Sequence, residues 1–183
     1  DPERLNWINA TYLSAMDNKT FSVQVLIPEL VSAGLEPVSG TETDAEKIYA
    51  TRPAWYDLLS EILKPRTTVS PDVVEKSRFL YEGAEVTLDE KSVSKSLAKD
   101  GAVSILEAAH DALLPVSEWT PENIDTALEV LPEQLDLKKR VVFQAVRVAE
   151  CGNMVSPPLG ESMALLGKDI ALARLERALK IAR

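Results

Sequence analysis

The sequence has little of the two residues that disulfide-bonded and zinc-bound proteins depend on. Its 183 residues include one cysteine and one histidine. Because Cys151 has no second thiol to pair with, the chain forms no internal disulfide, and this set of ligands is too small for a common zinc site. Such sparing use of cysteine is typical of a reducing compartment, so we expect a cytoplasmic protein.

Long apolar runs are also missing. No stretch approaches the roughly 18 apolar residues that mark a membrane-spanning helix. Residues 1–20 lack the basic start and apolar core of a signal peptide. We therefore expect no membrane association. The chain opens with Asp1 instead of methionine, which indicates a processed protein or a piece of a longer one.

The residues of common catalytic sites do not occur together. There is no glycine-rich phosphate loop, no metal-ligand cluster and no nucleophile with a placed base. The only imidazole belongs to an apolar stripe with helical spacing, which predicts a position at the margin of the core. That stripe consists of Val103, Leu106, His110 and Leu113. Acidic pairs such as Asp89 and Glu90 lie at predicted helix starts, where capping explains them.

Charge is distributed unevenly along the chain. The formal net charge is −9, but residues 1–137 carry −14 and residues 138–183 carry +5. The basic surface is therefore concentrated in the C-terminal quarter, which favours an anionic partner there. An uneven distribution of solvated helix faces would give the same numbers, so the charge needs support from motifs.

Composition and periodicity predict an all-α protein. The seven glycines are few for a β-sandwich, and apolar residues recur at helical spacing, as in Leu5, Ile8, Tyr12 and Met16. Pro121 after Thr120 is a typical helix start. We predict about ten helices, with kinks or breaks at Pro28 and Pro53. Their approximate ranges are 3–17, 20–33, 44–64, 71–82, 89–99, 102–114, 121–136, 138–150, 157–166 and 168–182.

A polar turn predicts a division of this helical bundle into two packed subdomains. Residues 81–88 contain Gly83 between segments of helical pattern, which is typical of a linker. We place the subdomains at residues 1–83 and 84–183. No repeat of fixed length is present, which disfavours a solenoid.

Several short motifs resemble one protein family in the same order along the chain. The strongest lie near the end: FQAVRVA at 143–149, VSPPLGE at 155–161 and ALLGK at 164–168. Near the start, LNWIN occupies 5–9. Between them lie LKPRT at 63–67, FLY at 79–81 and WTPE at 119–122. Together they resemble the C-terminal anticodon-binding region of bacterial-type glutamyl-tRNA synthetases, over nearly the whole chain.

The resemblance implies an all-helical body that recognises the anticodon loop of glutamate tRNA in protein biosynthesis. The catalytic domain, which uses ATP, would be missing, so we expect no catalysis and no cofactor from this chain. We also expect a monomer that does not bind DNA. The segment KSVSKS at 91–96 looks like the family's lysine-serine loop, but no nucleotide-binding fold precedes it, and its pattern predicts a solvated helix face.

The resemblance places the RNA-binding residues at Ser156, Pro157 and Leu159, together with Arg147 and Arg66. We expect the Ser156 hydroxyl to cap the following helix, with base contacts from that hydroxyl, from carbonyls, or from the first N–H groups of the helix. As a sequence pattern alone, SPPL favours an ordinary helix start, and the resemblance is what favours RNA binding.

Two of these assignments have stated alternatives. The guanidinium of Arg147 offers a planar set of donors for a base edge or phosphate, but pairing with Glu150 or another acid at the edge of the core is the competing interpretation. Arg66 matches a family arginine that reads a base, and a shifted alignment would instead select Lys64, Arg52 or Arg78. Phosphate contacts are predicted for the basic residues Lys138, Lys139, Arg140, Arg174 and Arg177.

The chain also departs from the commoner family pattern. A threonine-glycine pair, often followed by arginine, precedes the Ser-Pro element in the family, whereas residues 150–154 read ECGNM. Glu150 adds negative charge and Met154 stands where a cation could bind phosphate, so we expect reduced affinity for RNA. The rival hypothesis is a helical protein-interaction module whose acidic N-terminal part meets a basic partner.

Overall fold

The computed structural model describes residues 1–183, which form helices, turns and loops without a β-strand. The predicted all-α class is therefore confirmed. The chain divides into two compact units, residues 1–81 and 82–183, two residues before the division placed from the sequence. No helix combines the length and the apolar character required to cross a membrane.

The first unit contains six α-helices. They are α1 (Pro2–Ala15), α2 (Asn18–Phe21), α3 (Ile27–Ser32), α4 (Ala45–Thr51), α5 (Pro53–Leu63) and α6 (Asp72–Ser77). A π-helical segment, Ser22–Leu26, joins α2 to α3, and single 3₁₀ turns cover Lys64–Arg66 and Arg78–Tyr81.

The two prolines that are predicted to kink or break helices differ in their effect. Pro28 follows the π-helical segment, so the widened turn accommodates the ring without ending the helix. Pro53 separates α4 from α5, with Arg52 between them at φ −156° and ψ 68°, outside the helical region. The residue before a proline is disfavoured in the helical region, which explains why the break falls at Arg52.

The apolar stripe on α1 does not pack as its spacing indicates. Leu5, Ile8 and Tyr12 are 67%, 47% and 64% exposed, and only Leu13 of this helix is buried. The core of the unit comes from other elements, with Phe21, Leu26, Leu30, Leu59 and Leu63 all fully buried.

A buried carboxylate organises the polar part of this unit. Glu36 Oε1 accepts hydrogen bonds from Arg52 Nη2 at 2.6 Å and from the Tyr56 and Tyr81 hydroxyls at 2.8 Å each. The Arg52 guanidinium lies 3.6 Å from the Trp55 ring centroid, within the range of a cation–π contact. Burial raises the pKa of Tyr56 to about 12, so this hydroxyl remains a donor at neutral pH.

The second unit contains seven α-helices. They are α7 (Glu90–Lys95), α8 (Ala102–Leu113), α9 (Pro121–Glu129), α10 (Leu131–Leu135), α11 (Lys139–Cys151), α12 (Leu159–Leu166) and α13 (Lys168–Ala182). The predicted start at Thr120 is confirmed, because its side chain accepts a hydrogen bond from Asn123 N. The single predicted helix over 121–136 is two helices instead, and the second one begins at Leu131 with Pro132 in its first turn.

The core of this unit brings together side chains from α8, α9, α11, α12 and α13. Leu106, Leu113, Val146 and Leu175 are completely buried within it. His110 lies at the margin of this core, as its stripe predicts, and its Nε2 is 3.1 Å from Glu176 Oε1. The imidazole thus has a structural partner on α13.

Candidate nucleic-acid interface

Arg147 lies where α11 approaches the loop that precedes α12. It is half-buried between the apolar residues of α11, and its Nη1 donates to Pro157 O at 2.8 Å and to Ser156 Oγ. It makes no ion pair with Glu150 or with another acid, since both of its partners are uncharged, so the competing interpretation from the sequence is wrong. The structure brings together Arg147, Ser156 and Pro157, three of the five residues that the resemblance selected.

Ser156 fixes the loop but does not cap the helix. Its hydroxyl donates to Pro157 O at 2.8 Å, and α12 begins at Leu159 with no side-chain cap. The prediction of a capping hydroxyl is therefore wrong. Two consecutive prolines without N–H groups follow the serine, so the first N–H available for capping lies at Leu159.

Pro157 and Leu159 support the loop from inside. Pro157 is buried, and Leu159 is 4% exposed within the core of its unit. Any contact of Leu159 with a base would therefore use its backbone N–H, which precedes the first intrahelical bond, from Ser162 N to Pro158 O. The outward side chain of this loop is Val155, which is 85% exposed.

Helix α7 holds the other end of this loop, through residues that the sequence did not single out for this role. Asp89 N donates to Gly152 O at 2.8 Å, and Met154 N donates to Ser92 Oγ at 3.2 Å. Asp89 also caps α7 by accepting from Ser92 N. The spacing of three residues between Asp89 and Ser92 predicts a helix start. Their contact with a loop some 60 residues later cannot be predicted from any local pattern in the sequence.

The segment that resembles a lysine-serine loop forms α7 and its end. Lys91 and Lys95 are exposed, which confirms the prediction of a solvated face, whereas Ser92 and Ser96 are buried.

Cys151 is buried at the end of α11, and burial raises the pKa of its thiol to about 11. The thiol therefore stays protonated at neutral pH and lacks the thiolate that a nucleophile requires.

Three of the five predicted phosphate-binding residues have partners inside the protein. Arg174 is 1% exposed, so its assignment to an RNA-facing surface is wrong. Arg177 Nη1 donates to Val86 O at 2.6 Å, and Lys139 Nζ donates to Glu129 Oε1 at 2.6 Å. Lys138 and Arg140 remain exposed, and neither forms an ion pair.

Glu150 is fully buried, and neither carboxyl oxygen has a hydrogen-bond partner. It therefore adds no charge to the exposed surface of the loop, contrary to the expectation from the sequence. Burial raises its pKa well above the ordinary value, and the nearby Arg174 guanidinium opposes this change only in part. A raised pKa means that the fold favours the neutral carboxyl.

We expect Glu150→Gln to stabilise the protein increasingly as the pH rises. The native state holds the Glu150 proton more tightly than the unfolded chain does, so this group's contribution to stability is fully present below the unfolded pKa and is lost as the pH rises through the native pKa. Urea unfolding of both proteins at pH 4.5 and pH 8 measures the change. A difference between them that is equal at both pH values would contradict it.

Arg66 lies in the first unit and is exposed. Its Nη1 donates to Ile62 O at 2.8 Å, which satisfies a carbonyl at the C-terminal end of α5. The three alternatives are also engaged: Lys64 Nζ with Met16 O at 2.8 Å, Arg52 with Glu36, and Arg78 with Glu75 at 3.1 Å. The second terminal nitrogen of Arg66, Nη2, remains available to a ligand. That Arg66 contacts RNA stays a prediction.

Known proteins similar to this chain are glutamate–tRNA ligases. Those of Saccharopolyspora erythraea and Corynebacterium diphtheriae are each 38% identical to it, over 98% and 96% of this chain and 34% and 33% of their own length. The chain thus spans about a third of these curated relatives. That of Mycolicibacterium gilvum is 47% identical over 62% of this chain and 23% of its own length.

Solved structures show the same fold. A glutamate tRNA ligase from Elizabethkingia meningosepticum superposes with a TM-score of 0.77 at 20% identity, covering the whole of this chain and 33% of that protein. The sequence also matches the anticodon binding domain family over residues 27–179. This match includes both Arg66 and the Arg147–Ser156 contact, and the chain belongs to the anticodon binding domain family.

Proposed function

We propose that this chain recognises the anticodon loop of glutamate tRNA, as the RNA-binding part of a glutamate–tRNA ligase. The observation that carries the proposal is the half-buried Arg147 side chain, which Ser156 Oγ and Pro157 O hold near the C-terminal end of α11. Ligation and the use of ATP would belong to the two thirds of the relatives that this chain does not match. We place the protein in the cytoplasm as a monomer.

The geometry suits single-stranded RNA. One nitrogen of Arg147 fixes the loop, while Nε and Nη2 make no hydrogen bond within the protein and are free to donate to a base edge or a phosphate. The guanidinium plane also offers a surface on which a base stacks. Because the loop is already held at Gly152, Met154 and Pro157, little conformational entropy is lost when RNA binds.

The contacts of Arg147 with Ser156 and Pro157 argue against the rival hypothesis of a protein-interaction module. That hypothesis expects Arg147 to be buried against an acidic residue, whereas its partners are a hydroxyl and a carbonyl, both uncharged. Its positive charge is therefore not neutralised, and an anionic ligand would neutralise it.

We expect Arg147→Ala to weaken binding of glutamate tRNA about tenfold, or about 1.4 kcal/mol, which lies within the roughly 1–3 kcal/mol of a good contact to a base. The measurement is a titration of the 183-residue chain at fixed low salt, with the cognate tRNA and with a tRNA carrying a substituted anticodon. The wild type should prefer the cognate tRNA, and the variant should lose much of that preference.

Arg183→Ala is the matched control, because Arg183 is an exposed arginine of the same unit that pairs with Glu107 at 2.8 Å. We expect less than a twofold change for it. Equal affinity of the wild type for both tRNAs would overturn anticodon recognition and leave a basic surface without specificity.

A further inference from the structure

The loop between α11 and α12, residues 152–158, is held by two different helices. Near its end, Ser156 Oγ accepts a hydrogen bond from Arg147 Nη1 of α11. Near its start, Met154 N donates to Ser92 Oγ of α7 at 3.2 Å. The shape of this α11–α12 loop, and with it the position of the Arg147 side chain, therefore depends on a contact with α7.

The Ser92 hydroxyl is oriented to accept from the loop. Its Oγ donates to Asp89 Oδ2 at 2.7 Å, and an ionised carboxylate can only accept. The hydrogen bonds from Ser92 hold the pKa of Asp89 below its ordinary value, so the carboxylate is ionised at neutral pH. Because the hydroxyl proton is directed at Asp89, the lone pairs of Ser92 Oγ are left for the Met154 amide.

Starting α7 does not require this hydroxyl. The backbone N of Ser92 already donates to Asp89 Oδ2 at 2.9 Å, which is the capping bond of the helix. The hydroxyl adds a bond to a residue that lies 62 positions later in the chain. It is also 2% exposed, so a base or a phosphate cannot reach it. Any effect of Ser92 on RNA binding therefore has to pass through the loop.

We propose that Ser92 is a positioning residue for RNA binding, which holds the α11–α12 loop in the shape that presents Arg147. The inference rests on the proposed function, because it concerns the same site. Without the bond to Met154, the start of the loop would become ordered only when RNA binds, and this loss of entropy would lower the affinity. The buried side of the KSVSKS segment at 91–96 would then serve the RNA site, while its lysines face solvent.

Binding titrations of Ser92→Ala at fixed low salt test the proposal. The probes are glutamate tRNA and the same tRNA with a substituted anticodon. We expect the variant to bind the cognate tRNA about fivefold more weakly and to prefer it less, because the cost of ordering the loop is added to binding.

Ser96→Ala is the matched control, on the same segment. Ser96 is 8% exposed, and its hydroxyl donates to Ser92 O at 2.6 Å but to no atom of the α11–α12 loop. The variant loosens the end of α7, while the Ser92 hydroxyl keeps Asp89 and Met154 as partners. We expect the affinity for either tRNA to change less than twofold. Thermal unfolding shows that both variants are folded at the temperature of the titrations.

Coupling to Arg147 tests whether Ser92 acts through the loop. In the Arg147→Ala protein we expect Ser92→Ala to change the affinity less than twofold, because the guanidinium that the loop positions is already gone. Equal losses in the wild-type and Arg147→Ala backgrounds would mean that Ser92 acts at another place, and they would overturn the proposal.

Amide hydrogen exchange provides a measurement that does not depend on the variants being stable. In the wild-type protein we expect the Met154 amide to be protected before tRNA is added, since Ser92 Oγ already accepts from it. In Ser92→Ala this amide should exchange about tenfold faster, and in Ser96→Ala at the wild-type rate. A wild-type Met154 amide that exchanges freely until tRNA binds would contradict a loop held in advance by Ser92.

The outcomes separate this inference from the proposed function. If Ser92→Ala behaves like Ser96→Ala while Arg147→Ala weakens binding, the positioning role is overturned and anticodon recognition stands. If the wild type binds both tRNAs equally, while Ser92→Ala and Arg147→Ala weaken binding as a coupled pair, the positioning role stands and the proposed function fails. Absence of tRNA binding at low salt overturns both.

Discussion

Replacing Arg174 with leucine is expected to lower the free energy of unfolding by about 4 kcal/mol, because it removes a buried cation from two acceptors and from a buried acid. The Arg174 guanidinium is 1% exposed, and it donates to Gly83 O at 2.7 Å and to Glu150 O. Leucine fills part of the volume but leaves both carbonyls without this donor, at about 1–3 kcal/mol for each unsatisfied group. It also takes from the Glu150 carboxyl the one cation that favours its ionised form.

Arg177→Leu is the matched control for this prediction. Arg177 lies one turn further along α13 and donates to Val86 O at 2.6 Å, but its side chain is half-exposed, so water replaces the lost donor. We expect Arg177→Leu to lower the free energy of unfolding by about 1 kcal/mol. Urea unfolding at pH 7 measures both variants, and equal losses would show that burial of Arg174 is not what makes it important.

Local signals in the sequence predicted where helices form but not which of their apolar faces are buried. Thr120 followed by Pro121 starts α9 because a hydroxyl cap and a proline act within one turn. The stripe on α1 has the same helical spacing as a core-facing stripe, yet Leu5 and Tyr12 are exposed. Periodicity reports that apolar residues share a face, whereas burial depends on the elements that pack against that face.

In the candidate site, the burial of polar residues likewise could not be predicted from local sequence. Arg174 and Arg140 are both arginines in the basic C-terminal quarter, and no local pattern distinguishes the buried one from the exposed one. The partner Gly83 lies 91 residues from Arg174, and such a distance leaves no periodic signal. Arg147 and Ser156 were found through a family resemblance, and only the structure shows that they contact each other.

Gly152→Ala is expected to lower the free energy of unfolding by about 3 kcal/mol. Gly152 ends α11 with φ of +80°, a conformation that costs a residue with a Cβ about 1–2 kcal/mol. A Cβ there would also lie 2.0 Å from the carbonyl oxygen of Thr87. That oxygen belongs to the backbone, so the loop segment beside it has to shift, which adds about 1–3 kcal/mol of overpacking.

Gly101→Ala separates these two costs. Gly101 has φ of +89° and ψ of −10°, close to the +80° and −6° of Gly152, but a Cβ at Gly101 meets no atom within 4 Å. Its expected loss is about 1 kcal/mol, from the backbone alone. Urea unfolding gives both values, and losses of equal size would contradict the clash with Thr87. Because Gly152 O also accepts from Asp89 N, the larger loss at Gly152 should be accompanied by weaker tRNA binding, whereas Gly101→Ala should leave binding unchanged.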